Sequence, residues 1–245
     1  MAVIALLHAF PLGPAMFEAQ RKALVAAGHE VVVPDLLSPE RNYPADPDLA
    51  AMARYVLKLM SDAGHRQFAI AGLSMGGYVA MAVLRNAMTR VTGLALLDTR
   101  ASADSDAAAR NRYAYADRVE SEGMGWVPEA TLDSLLGETT RESRAVIVDR
   151  VRGWIEAADP GMVAWAQRAM AERPDSLAEL QVFRQPSLVL VGQEDTLTPL
   201  PDSLAMAEAL GGAPLTQISR AGHLSSVESP NKVSEMLTTW ADRLD

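Results

Sequence analysis

Six residues, Gly72-Leu73-Ser74-Met75-Gly76-Gly77, constrain this chain more than any other stretch. The residues before them, Gln67 to Ala71, are short and apolar enough to form a buried strand. Those after them, Tyr78 to Asn86, carry the Ala, Val, Leu and Met content of a helix. A Gly-x-Ser-x-Gly between a strand and a helix reads as a nucleophile elbow. Glycine two before and two after the serine suits a corner too tight for side chains. Such a corner lifts the serine hydroxyl clear of the sheet. It also leaves the Met75 N–H at a helix N-terminus, facing the place where an oxyanion would develop. The same residues could also form a plain Gly-rich loop, so the partners of Ser74 decide between the two readings.

The rest of the chain repeats the strand-then-helix rhythm. Val3 to Leu7, Glu30 to Val33, Val91 to Leu97, Ser187 to Val191 and Leu215 to Ile218 read as strands. Helices are expected at about Pro14 to Ala27, Asp48 to Ala63, Pro201 to Leu210 and Pro230 to Arg243. Apolar strands alternating with helices imply right-handed βαβ units and a parallel sheet covered on both faces. Between Thr99 and Arg184 the rhythm stops and only helical patterns remain. They run from about Asp104 to Glu122 and from Pro128 to Leu136. A third opens with a possible capping box, Thr139-x-x-Glu142, and a fourth is capped by Asp159-Pro160. Ile147, Val151, Trp154, Ile155 and Ala158 make one apolar stripe, and Met162, Trp165, Ala166, Ala169 and Met170 make another. Three of the four tryptophans, Trp126, Trp154 and Trp165, lie in this segment and are candidates to line a pocket. The expected organisation is an α/β core, 1–98 and 185–245, interrupted by a helical cap, 99–184.

Composition narrows the function. A net charge of −9 argues against nucleic acid or an anionic membrane as partner. With no cysteine, disulfides and thiol chemistry are excluded, and four histidines leave few zinc ligands. The opening Met-Ala-Val-Ile-Ala-Leu-Leu has no basic flank and leads into His8-Ala9-Phe10-Pro11, so it reads as a buried strand rather than a signal peptide. The expected location is cytoplasmic.

In an open parallel sheet, ligands bind beyond the carboxyl ends of the strands, so partners of Ser74 must follow strands. His29 and His65 precede strands and are on the wrong edge. His8 follows the first strand but starts a turn, where it suits a loop-fixing hydrogen bond. His223 follows the last strand behind Gly222 and is the expected general base. Asp35, Asp98 and Asp195 all follow strands. A carboxylate must hold the tautomer of the base, and Asp195 is the expected one, with Asp98 its rival in the same chain order.

Together, His8-Ala9-Phe10-Pro11, Gly72-Leu73-Ser74-Met75-Gly76-Gly77, Gly192-Gln193-Glu194-Asp195 and Gly222-His223 resemble the α/β-hydrolase superfamily nearly end to end. The Phe-Pro turn and Ser-Met-Gly-Gly resemble its esterase and cofactor-free haloperoxidase (perhydrolase) branch. Ala9 stands where the family usually has Gly. The resemblance implies an α/β-hydrolase fold, with a mainly parallel sheet of about six strands flanked by helices and an inserted helical lid. It also implies oxyanion donors at the Phe10 and Met75 N–H groups, with both residues at the substrate. No metal or organic cofactor is implied. The expected activity is hydrolysis of a small to medium, largely apolar carboxylic ester or lactone through an acyl-enzyme on Ser74. Perhydrolysis, a biosynthetic tailoring or cyclising role, and a ligand-binding receptor are the alternatives. Cyanohydrin cleavage is not expected, because Leu224 and Ala9 stand where such lyases carry Lys and Thr.

Overall fold

The computed structural model describes residues 1–244. Six strands form one sheet: β1 (Val3–Leu7), β2 (Glu30–Val32), β3 (Phe68–Leu73), β4 (Val91–Leu97), β5 (Ser187–Gly192) and β6 (Leu215–Ile218). Their order is β2-β1-β3-β4-β5-β6, and every pairing is parallel. The four inner strands are almost wholly buried, whereas edge strand β2 is only partly covered.

Side-chain alternation divides the core in two. Ile4, Leu6, Ala69 and Ala71 point to one face, with Leu24 of α1 (Glu18–Ala26) and Val233 and Leu237 of α12 (Pro230–Ala241). Ala5, Leu7, Phe68 and Ile70 point to the other. There they meet Met52 and Val56 of α2 (Leu49–Asp62), Val79 and Val83 of α3 (Met75–Ala87) and Met206 of α10 (Leu200–Ala209). A fully buried Leu or Ile contributes about 1.5–3 kcal/mol, so these two layers dominate the favourable side of folding. A short helix, α11 (Ser225–Glu228), follows His223.

Between β4 and β5 there are six helices: α4 (Asp106–Glu122), α5 (Val127–Leu135), α6 (Glu138–Ser143), α7 (Ala145–Glu156), α8 (Pro160–Ala171) and α9 (Leu177–Val182). The stripe on α7 packs inward through Val151 and Ile155. The Asp159 side chain accepts from Met162 N–H at 2.8 Å and caps α8. The capping box expected at Thr139 does not form. Thr139 lies inside α6, and its N–H and hydroxyl both donate to Glu194, at 2.9 and 2.5 Å. A tertiary partner has taken the side chain that a local cap would use. Among the described residues, no helix is long and apolar enough to cross a membrane.

Candidate active site

At the carboxyl edge of the sheet, β3 turns into α3 within one residue. Ser74 holds φ 55° and ψ −116°, a conformation costing about 1–3 kcal/mol for a side-chain-bearing residue. Neighbours over-determine the turn. Ser74 N–H donates to Leu97 O of β4 at 3.0 Å, and the Thr99 hydroxyl donates to Ser74 O at 2.8 Å. A Cβ on Gly72 would overlap the Gly76 carbonyl, and one on Gly76 would overlap the Leu7 carbonyl of β1. Only glycine at both positions allows backbone to approach backbone so closely.

His223 sits on the loop after β6 and Asp195 on the loop after β5. Ser74 Oγ lies 2.7 Å from His223 Nε2, and His223 Nδ1 lies 2.9 Å from Asp195 Oδ2. A carboxylate can only accept, so Nδ1 carries the proton and Nε2 is free to accept from the serine hydroxyl. Asp195 also accepts from Leu197 N–H at 2.8 Å, Thr198 N–H at 3.1 Å and the Thr198 hydroxyl at 2.6 Å. Burial alone would raise its pKa, but His223 and these donors together hold the Asp195 carboxyl below its usual value.

Asp98, the rival carboxylate, is fully buried and faces a different set of partners. It accepts from Gly192 N–H at 2.7 Å and from the Ser225 hydroxyl, and it makes no hydrogen bond to His223. Burial, followed by repulsion from Asp195, pushes its carboxyl well above the ordinary range. Glu228 accepts from Gly222 N–H at 2.9 Å and Leu224 N–H at 3.3 Å, the amides on either side of His223, and from Gly137 N–H at 2.8 Å. One carboxylate thereby ties the His223 loop to the turn between α5 and α6.

The remaining histidines are elsewhere. His8 Nε2 accepts from Leu36 N–H at 2.8 Å, which fixes two loops together. His29 accepts from Ala2 N–H at 3.3 Å, and His65 lies 2.9 Å from Glu30. Among the described residues, no group of three or more His, Asp or Glu is arranged to hold a metal ion.

Ser74 and His223 open into a cavity of about 170 Å³. Phe10, Pro11, Tyr78, Leu135, Met170 and Leu197 give it apolar surface, and Arg100, Arg112 and Gln167 give it polar surface. Phe10 lies just past the end of β1, whose Leu7 pairs with Gly72 of β3, so its amide and that of Met75 leave adjacent strands. Neither amide enters a hydrogen bond among the described residues. The Met75 side chain is buried in the core on the α2–α3 side, which leaves only its backbone for a ligand.

The three tryptophans expected at the pocket do not line this cavity. Trp165 stacks on Tyr43 at 4.7 Å and donates to Pro44 O at 2.8 Å. Trp154 borders a separate groove with Pro11, Leu12 and Pro160. Trp126 packs one layer back, against Tyr115 and under the Arg118 guanidinium. An apolar stripe marks which residues are buried, and for Trp165 the segment at Tyr43 and Pro44 does the burying. Sequence reasoning missed Arg100, Arg112, Gln167 and Thr198. Arg100 follows Asp98 and Thr99 at the carboxyl edge of β4, and that position was the available signal. Arg112, on an otherwise polar helix, gave none.

These features define the class. The family model for the alpha/beta hydrolase fold matches residues 2–230, and the chain belongs to that family. Within it, the chain is similar to the AB hydrolase superfamily protein YisY of Bacillus subtilis (strain 168), with 24% identity over 98% of this chain and 91% of the relative. Its structure resembles a thermophilic esterase from Thermogutta terrifontis, with 37% identity, a TM-score of 0.93, and coverage of 100% of this chain and 90% of that one. An enol-lactonase from Burkholderia xenovorans LB400 shares the fold at 22% identity and a TM-score of 0.87, over 98% and 91% of the two chains.

Proposed function

We propose that this chain is a serine hydrolase acting on a small to medium carboxylic ester or lactone through an acyl-enzyme on Ser74. The observation that carries the proposal is the continuous relay from Ser74 Oγ through His223 to Asp195, at 2.7 and 2.9 Å, beside a cavity. In the reaction, Ser74 Oγ attacks the carbonyl carbon and its proton passes to His223 Nε2. Asp195 stabilises the imidazolium that results. The Phe10 and Met75 amides donate to the tetrahedral oxyanion. Collapse breaks the carbon–oxygen bond to the alcohol, which leaves with the proton from His223. Water, deprotonated by the same nitrogen, then attacks the acyl-enzyme and releases the acid and Ser74.

The esterase from Thermogutta terrifontis, at 37% identity, supports this reading. The helical segment 99–184 serves as the lid, contributing Arg100, Arg112, Leu135, Gln167 and Met170 to the cavity. A net charge of −9 supports a small-molecule substrate over a nucleic acid or a membrane. A panel of 4-nitrophenyl esters from acetate to decanoate, run beside γ- and δ-lactones, tests the reading. Short acyl chains are expected to turn over faster than long ones, because the cavity is small. Absence of turnover on every ester and lactone would overturn it.

A further inference from the structure

We propose that the cavity beside Ser74 selects substrates that carry a carboxylate, with Arg100 as the principal anion-binding group and Arg112 beside it. The substrate class is the half-ester of a short dicarboxylic acid, or a lactone bearing a carboxylate. This rests on the reading of Ser74 as the nucleophile of an ester hydrolase.

Both guanidiniums belong to residues that line the cavity containing Ser74 and His223. Arg112 is largely engaged. Its Nε donates to Asp104 at 2.5 Å and its Nη1 donates to Gln167 Oε1 at 3.0 Å. Arg100 is not. Its Nη2 donates to the Leu197 carbonyl, but its Nε–H is buried without a hydrogen-bond partner. That Nε lies 3.9 Å from Asp202 Oδ2, at ion-pair distance. Because that Nε is out of reach of solvent, the donor left for an anionic ligand group is Nη1, which makes no hydrogen bond among the described residues.

The surrounding charges agree. Arg173 shares Asp104 with Arg112, donating to it at 2.7 Å, so one carboxylate serves two guanidiniums. In a chain of net charge −9, Arg100 and Arg112 both line the cavity of the proposed nucleophile. A planar guanidinium suits a carboxylate, and partial exclusion of water strengthens the pairing. Phe10, Leu135, Met170 and Leu197 leave apolar surface for the carbons between the two ends of such a substrate.

Two esters of similar length test the proposal: 4-nitrophenyl hydrogen succinate, which is anionic, and 4-nitrophenyl butyrate, which is neutral. The readout is the ratio of their kcat/KM values. The wild type is expected to favour the anionic ester, with a KM that rises with added salt. In Arg100→Gln the ratio is expected to fall about 10- to 100-fold, the effect of losing one charge-assisted hydrogen bond. Misfolding lowers both rates together and leaves the ratio alone. An unchanged ratio in Arg100→Gln protein whose circular dichroism and melting midpoint match the wild type, or a wild-type preference for butyrate, would assign Arg100 to holding the Leu197 loop and overturn the proposal. Calorimetry with methyl hydrogen succinate, on Ser74→Ala and on the double variant with Arg100→Gln, gives an arm that needs no turnover. Arg100-dependent binding without hydrolysis of either ester would sink the hydrolase reading and keep the anion site. Binding that is absent, or indifferent to Arg100, would sink the anion site.

Discussion

Asp98 and Asp195 are buried carboxylates on neighbouring loops, and their pKa values move in opposite directions. Asp195 gathers His223, Thr198 and two backbone amides, and its pKa is lowered. Asp98 is fully buried beside the Asp195 charge with only a hydroxyl and one amide to offset this, and its pKa is raised. Asp98 therefore holds a proton to higher pH than Asp195, and in the proposed mechanism Asp195 carries the charge that steadies the imidazolium. Asn is a fair neutral mimic for the first and a poor one for the second. Asp195→Asn is expected to lower kcat by about 10³- to 10⁴-fold, because His223 would adopt the wrong tautomer. Asp98→Asn is expected to lose less than about tenfold, since its contacts survive and the tautomer of His223 is unaffected. The sign of the linkage follows from the raised native pKa. The native state binds this proton more tightly than the unfolded chain, so Asp98 loses the protein stability as pH rises from the ordinary carboxylate range through the raised value. Relative to wild type, Asp98→Asn should therefore be more stable at pH 7 than at pH 5 in thermal melts. A pH-independent difference would place both Asp98 pKa values together.

At the scale of elements, the strands and the elbow were legible because their signals are local. The runs at Val3–Leu7 and Val91–Leu97 are largely apolar and end at turn residues, and the structure has both, and Leu215–Ile218, with the expected bounds. Gly72 and Gly76 mark a backbone crossing that no other residue permits. The helical segment was less legible, because its decisive contacts are long-range. Thr139 answers to Glu194, 55 positions away, and α6 ends at Ser143 before α7 begins at Ala145. Trp165 is covered by Tyr43 from the far side of the sheet order, which no helical stripe can reveal. Arg100 and Arg112 come to one cavity only on folding. Glu228 is the link between this segment and the His223 loop. Removing its side chain in Glu228→Ala leaves three buried amides without their acceptor, at a cost of about 2–4 kcal/mol. For a chain of this size the melting midpoint should drop by roughly 5–10 °C, which calorimetry would measure. An unchanged midpoint would mean that the clasp contributes nothing.

Across the whole molecule, one architectural fact organises the chemistry. A parallel sheet brings the ends of β1, β3, β5 and β6 to one edge, and Phe10, Ser74, Asp195 and His223 each follow one of those ends. Residues 149 positions apart meet as Ser74 and His223, so the relay exists only in the folded state. The helices between β4 and β5 supply much of the cavity wall. On this account the core supplies the reaction and the insertion selects the substrate. The central claim is that Ser74 is the nucleophile, and the most direct measurement is kcat/KM for a short 4-nitrophenyl ester in wild type and Ser74→Ala. The account predicts a fall of about 10⁴- to 10⁶-fold in the variant, with the fold intact by circular dichroism. Hydrolysis by Ser74→Ala at the wild-type rate would contradict it.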